Sequence, residues 1–158
     1  MSSALPANLA KIVSRFKRKT DPKQKYQQLL WYANKLEPMA EADKNPNNKV
    51  HGCVSQVFIT ADYIDGKVTY HGDSDAQLVK GLVGLLINGL NGLSPAEIIE
   101  IKPDFIEETG LSFSLTPSRA NGFLNILKLM QKKAKGFAIA LNTEETQTNK
   151  SKGNLSSV

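Results

Sequence analysis

Apolar residues in the first part of the chain recur at the three- and four-residue spacing of a helix. Leu5, Leu9, Ile12, Val13 and Phe16 fall on one stripe, which predicts a helix from about Pro6 to Arg18 with a buried face and a basic outer one. Asp21-Pro22 supplies an N-cap followed by proline at the first helical position. A second helix is expected through Tyr26, Leu29, Leu30, Ala33 and Leu36, ending before Pro38, with Trp31 and Tyr32 read as packing residues. Glu41 to Lys49 is polar and turn-rich without periodicity, so it reads as a loop. Val54 to Tyr63 and Lys67 to His71 are rich in β-branched and aromatic residues. They flank Asp65-Gly66, a hairpin-turn signal because glycine tolerates positive φ.

A third helix is expected to begin near Ser74 or Asp75, whose side-chain oxygens can cap free backbone N–H groups, and to run through Leu78, Val79, Leu82, Val83, Leu85, Leu86, Ile87 and Leu90. Its apolar residues go nearly all round, which predicts a central, largely buried helix whose glycines allow close packing against the sheet. A membrane span needs about 20 mainly apolar residues, and Leu78 to Leu93 falls short while containing Lys80, Asn88 and Asn91. Ser94-Pro95-Ala96-Glu97 has the form of a capping box opening a short helix. Leu111, Phe113 and Leu115 alternate with serines and suggest an extended segment adding to the sheet. Thr116-Pro117 then caps a last helix bearing Phe123, Ile126, Leu127 and Met130. The resulting fold class is α+β: a small antiparallel sheet packed against a layer of helices. Residues 1–141 form a single domain, and residues 142–158 are polar and expected to be a disordered tail.

Cys53 is the one cysteine of 158 residues, directly behind Gly52 at the start of a strand-like run. One thiol closes no internal disulfide and assembles no thiolate-rich metal site, so its chemistry is that of a lone nucleophile or sulfur carrier. A Cys/His hydrolase built on His51, His71 and Asn121 lacks any accompanying nucleophile or oxyanion-hole motif. One Cys and two His without ligand pairs supply no closed four-ligand metal site. The net charge of +5 is unevenly spread: Lys11 to Lys25 carries +6, Tyr26 to Leu127 carries −5, and the remainder +4. The basic charge therefore lies at the ends, and a solvated-surface reading outweighs a phosphate-binding face, which would include the body of the domain. With 41% hydrophobic and 22% charged residues the composition is that of a soluble globular chain. The lone cysteine and the absence of a secretory-signal pattern point to the cytoplasm.

Three strings occur in order: Gly52-Cys53-x-Ser55-x-Val57-Phe58, Gly72-Asp73-Ser74-Asp75-Ala76-Gln77-Leu78-Val79-Lys80-Gly81-Leu82, and Leu115-Thr116-Pro117-Ser118-Arg119-Ala120-Asn121-Gly122. Together they resemble the SufE family of sulfur acceptors over about Leu5 to Gly136. The resemblance implies a SufE/IscU-like fold and a sulfurtransferase-like accessory subunit. Such a subunit takes persulfide sulfur from a SufS-type cysteine desulfurase onto Cys53, stimulates that enzyme, and delivers sulfur to a SufBCD-type iron-sulfur scaffold. It implies no cofactor in this chain, pyridoxal phosphate belonging to the desulfurase, and no nucleic-acid or membrane partner. Asp75 and Arg119 match family positions implicated in docking to the desulfurase, and Gly52 and His51 flank the thiol as further candidates for partner contact. Phe58 stands where many members carry Trp, and His51 occupies a variable position that inherits no family role.

The residues themselves suggest complementary details. Gly52 provides backbone freedom for the loop to move, and Val50 and Val54 offer the sulfur apolar shelter at rest. Lys49 or His51 could assist the thiolate only if the pleat persists through Gly52. Arg119 lies in the first turn of the last helix, an unfavourable end for a cation, and a recognition role would account for it. Asn121 and Gly122 shape the helix packing near it. The reading from a different class is a non-catalytic interaction or nucleic-acid-binding module using the basic N-terminal helix.

Overall fold

The computed structural model describes residues 5–53, 55–111 and 116–156, with side chains described as far as residue 140. Two helices, α1 (Ala7–Lys17) and α2 (Pro22–Asn34), precede a hairpin of β1 (Val57–Ile64) and β2 (Lys67–Ser74). Then come α3 (Gln77–Leu90), the short α4 (Pro95–Ile99) and α5 (Phe105–Glu108), and the long α6 (Pro117–Ser156). The α+β class holds, with a two-stranded antiparallel sheet among the described residues.

Asp65 and Gly66 turn the hairpin at φ +52° and +79°, the left-handed pair that matches strand twist in a two-residue loop. The register pairs Ile59 with Gly72 and Ala61 with Tyr70, so Val57, Ile59, Val68, Tyr70 and Gly72 share one face, and all five are buried. Backbone covers both edges of this ribbon. On the β1 side, Val50 N–H donates to Val57 O at 2.8 Å and Ile59 N–H to Asn48 O at 2.7 Å. On the β2 side, Val68 N–H donates to Leu93 O, Gly92 N–H to Val68 O, and Tyr70 N–H to the Asn91 side-chain oxygen. A bare hairpin edge is a template for aggregation, and these short segments remove it. The neighbour of β1 is thus Asn48–Val50. The alternating segment expected to extend the sheet falls largely on residues 112–115, outside the described residues, while Leu111 packs in the core.

Helix α3 is central, with ten of its fourteen residues buried. It lies on the sheet, where a Cβ on Gly72 would come within 2.6 Å of Val83 Cγ1. The glycines of α3 itself serve a different contact from the one expected. Gly81 faces the Leu29 carbonyl and Gly84 the Tyr32 carbonyl, so they let α2 approach backbone to backbone rather than seating the sheet. Capping also differs from expectation at this helix. The N-cap is Ala76, without a side-chain bond, because β2 continues to Ser74 and Asp75 is engaged elsewhere. The Asp21 cap with Pro22 and the Ser94–Glu97 capping box form as the sequence predicts.

Tyr32 is buried and stacks on Phe16, whereas Trp31, read as a packing residue, is 43% exposed. The 3.6-residue period allots the two neighbours to different faces, and the α3 side takes Tyr32. Helix α6 closes the core with Phe123, Ile126, Leu127, Met130 and Ala134. The Tyr70 hydroxyl donates to Met130 O at 2.5 Å, and Gln131 Nε2 donates to Ile101 O at 2.7 Å. The helix continues to Ser156, through the stretch where the sequence predicted a disordered tail.

Alanine at two glycines should act with opposite sign in denaturant titrations. Gly84→Ala drives a methyl into the Tyr32 carbonyl and should cost about 3 kcal/mol. Gly136→Ala on α6 meets nothing within 4 Å and should gain up to about 1 kcal/mol from helix propensity.

Candidate functional site around Cys53

Cys53 sits in a loop closed at its base by its own strand. Val50 N–H donates to Val57 O, so residues 51–56 form a short excursion pinned at both ends to β1. The thiol therefore lies four residues before the strand begins rather than at a loop-to-strand junction, because the β1 pairing starts only at Val57. Asp75 holds the second end: Gln56 N–H donates to Asp75 Oδ1 at 2.9 Å and Asp75 N–H to Gln56 O at 3.2 Å. This reciprocal pair is the local reason for an aspartate at position 75, in place of the helix-capping role expected of it. Asp73 instead meets two lysines, Lys44 at 3.7 Å and Lys80 at 3.4 Å.

Gly52 adopts φ +84°, in the left-handed region that favours glycine. A Cβ there would also come within 2.6 Å of Asn125 Nδ2. That amide donates to Gly52 O at 3.1 Å, so α6 grips the loop one residue before the sulfur. One turn earlier on the same helix is Gly122, whose carbonyl oxygen is 3.8 Å from Cys53 Sγ. A Cβ on Gly122 would stand 3.5 Å from the sulfur. Gly122 and Asn125 thus form a seat and a latch on one face of α6. The sequence signal for the latch was weak: an asparagine in mid-helix, a type that prefers local backbone bonds over helix interiors. The shelter expected from Val50 and Val54 takes another form. Val50 is buried in the core, Val54 lies outside the described residues, and the described surface against the sulfur is α6.

The half-buried sulfur lines a cavity of about 420 Å³ together with Tyr26, Ser55, Gln77, Thr116, Ser118 and Arg119, among others. The first turns of α3 and α6 both border this space and bring the positive ends of their dipoles to it, the Arg119 N–H of α6 being already bonded to Thr116 Oγ1 at 3.4 Å. Arg119 adds a full charge at the same place, and its guanidinium has no ion pair among the described residues. A cation at a helix N-terminus is unfavourable until an anion joins it, so the cavity is built to receive negative charge. Burial acts the other way on the resting thiol and pushes its pKa up, favouring S–H over the thiolate. His51 is exposed, and neither it nor Lys49 lines the cavity, so the pleat that would bring them beside the sulfur is absent. Asp75 is exposed beside the loop and is likewise not part of the lining. No metal-binding cluster of His, Cys, Asp or Glu exists among the described residues.

The sequence profile of SufE, described as an Fe-S metabolism associated domain, matches residues 10–134. The chain belongs to the SufE family. An uncharacterized SufE-like protein of Synechocystis is 70% identical over 138 residues, covering 87% of each chain. The cysteine desulfuration protein SufE of Plasmodium vivax is 41% identical over 115 residues, 70% of this chain but 46% of that longer one. A hypothetical protein of Thermus thermophilus, solved in solution, superposes with a TM-score of 0.74 at 31% identity, covering 84% of this chain and 97% of that one. This SufE-family chain therefore has a role in Fe-S metabolism, and its profile match spans every element that builds the cysteine cavity except the C-terminal reach of α6.

Replacing Asn125 with alanine removes the latch without touching the core. Iodoacetamide should then alkylate Cys53 about five- to tenfold faster, as expected for losing one hydrogen bond worth about 1 kcal/mol. In the native protein the alkylation rate should rise with pH to a midpoint above that of a free cysteine peptide. A native midpoint below the peptide's would show that the helix termini, rather than burial, govern the resting thiol.

Proposed function

We propose that this SufE-family chain is a sulfur acceptor: Cys53 takes the terminal sulfur of a persulfide held by a cysteine desulfurase and passes it on for iron-sulfur cluster assembly. The observation that carries this reading is a lone, half-sheltered thiol on a short clamped loop, facing a cavity framed by two helix N-termini and Arg119. The name of the Plasmodium relative, a cysteine desulfuration protein, supports the same partner class.

The chemistry is displacement at sulfur. The Cys53 thiolate attacks the outer sulfur of the donor persulfide, a new S–S bond forms on Cys53, and the donor's S–S bond breaks to release its cysteine as a thiolate. The Cys53 proton leaves to solvent or to that departing thiolate, and no net oxidation occurs. Transfer to the recipient repeats the step in reverse sense. Each stage passes through anionic sulfur, which the dipoles of α3 and α6 and the Arg119 guanidinium stabilise once the loop leaves its seat. The resting state is suited to storage: burial keeps the thiol protonated and unreactive until docking opens the loop. Removing the persulfide from the desulfurase also frees that enzyme for another turnover, so the same step accounts for stimulation. Pyridoxal phosphate serves in the desulfurase, and a SufS-type enzyme and a SufBCD-type scaffold in the cytoplasm are the partners that fit.

Mixing the protein with a SufS-type desulfurase and cysteine should add one sulfur to the peptide containing Cys53, read by intact and peptide mass spectrometry. Cys53→Ser should take up none and should abolish stimulation; stimulation that survives in this variant would refute the reading. Arg119→Ala should slow sulfur uptake by about 10- to 100-fold, the loss of one charge-assisted contact, while leaving Cys53 open to alkylation.

A further inference from the structure

A second surface, with no lining residue in common with the cysteine cavity, has its own chemistry. Arg15 of α1 and Lys19 just beyond it face Gln24, Gln27, Gln28 and Trp31 of α2 across a groove of about 520 Å³. Trp31 is the chain's one tryptophan and is 43% exposed. Cations crowd it: Lys35 Nζ lies 3.9 Å and Arg15 Cζ 5.6 Å from the ring centroid. None of Arg15, Lys19 and Lys35 has a carboxylate within ion-pair distance among the described residues. Arg15 instead donates to the Tyr32 hydroxyl at 3.2 Å, a neutral acceptor. The surrounding stretch from Lys11 to Lys25 carries seven basic residues against one acid. A large exposed aromatic ringed by uncompensated cations and lined by glutamine amides lacks one component, negative charge on an apolar stem.

We propose that the groove between α1 and α2 is a docking site for an acidic segment of a partner protein. Glutamate and aspartate carboxylates meet Arg15, Lys19 and Lys35, the methylenes of the segment cover Trp31, and the three glutamines pair with its backbone. Tryptophan and arginine are the residues that most often dominate such interfaces. A nucleic acid fits less well. Lys35 already occupies space over the indole, so a base has to compete for the stacking face. The segment from Tyr26 to Leu127 also sums to −5, so most of the chain beyond the groove's own cations offers a phosphate backbone net repulsion. A short acidic segment ends within the basic patch. This site does not use Cys53 and stands apart from the sulfur chemistry.

Trp31 reports on its own groove. Titrating the full chain with a ten-residue glutamate peptide at low ionic strength should give a saturable change in tryptophan emission. The double variant Arg15→Glu, Lys19→Glu should weaken binding by about tenfold or more, and so in lesser measure should Lys19→Glu alone, with far-UV circular dichroism unchanged. Two controls separate a site from net charge. Lys128→Glu with Lys132→Glu on α6 removes the same charge elsewhere and should leave the affinity within about twofold, and Cys53→Ser should bind as the native chain does. No saturable change, equal weakening by the α6 variant, or a single-stranded oligonucleotide of equal charge binding as tightly as the peptide would each overturn the proposal.

Discussion

One backbone hydrogen bond, from Val50 N–H to Val57 O, organises the chemistry of this protein. It closes the cysteine segment into a loop whose two ends belong to the same sheet, so Cys53 has a fixed base. Everything that acts on the sulfur follows from where that base stands. The sheet rests on α3, whose first turn then borders the cavity. Helix α6 crosses the same face and sets Gly122 under the sulfur and Asn125 against the Gly52 carbonyl. Asp75, at the end of β2, ties down the other side of the loop through Gln56.

Two opposing influences on the thiol meet at this point. Burial against α6 removes water from the sulfur and favours the neutral thiol, whereas the helix dipoles and Arg119 that line the cavity would favour an anion placed among them. Their separation in space resolves the conflict. The seat on Gly122 is a carbonyl surface that accepts an S–H, and the cavity mouth is an array of donors and positive charge that welcomes S⁻. Glycine at 52 is favoured by its positive φ and by the close approach of Asn125, whereas at 122 a Cβ would make an ordinary contact with the sulfur.

Helix α2 connects the rest. Its inner face supplies Leu29, Tyr32 and Ala33 to the core and lies so close to α3 that Gly81 and Gly84 meet its carbonyls. Tyr26 reaches the cysteine cavity, while Gln24, Gln27, Gln28 and Trp31 line the basic groove beside α1. A single helix thus joins the core to two chemically different surfaces, one beside the thiol and one basic.

Elements governed by local forces were legible in the chain. The stripe of α1, the Asp21-Pro22 and Ser94–Glu97 caps, the Asp65-Gly66 turn and the central apolar helix each follow from neighbours within a few residues, and the profile of apolar positions was enough to assign the α+β class. Cys53 and Arg119, singled out in the chain, line one cavity, and Asp75 ties the cysteine loop from outside that lining. Contacts between residues far apart in the chain were decided only in the tertiary structure. The glycines of α3 face α2 because helix approach depends on what lies opposite. Asp75 bonds Gln56 rather than capping α3, Trp31 turns outward, and Asn125 reaches back 73 residues to hold the cysteine loop. Such pairings depend on the geometry of two surfaces at once, and a one-dimensional pattern records each residue's own preference without naming its partner.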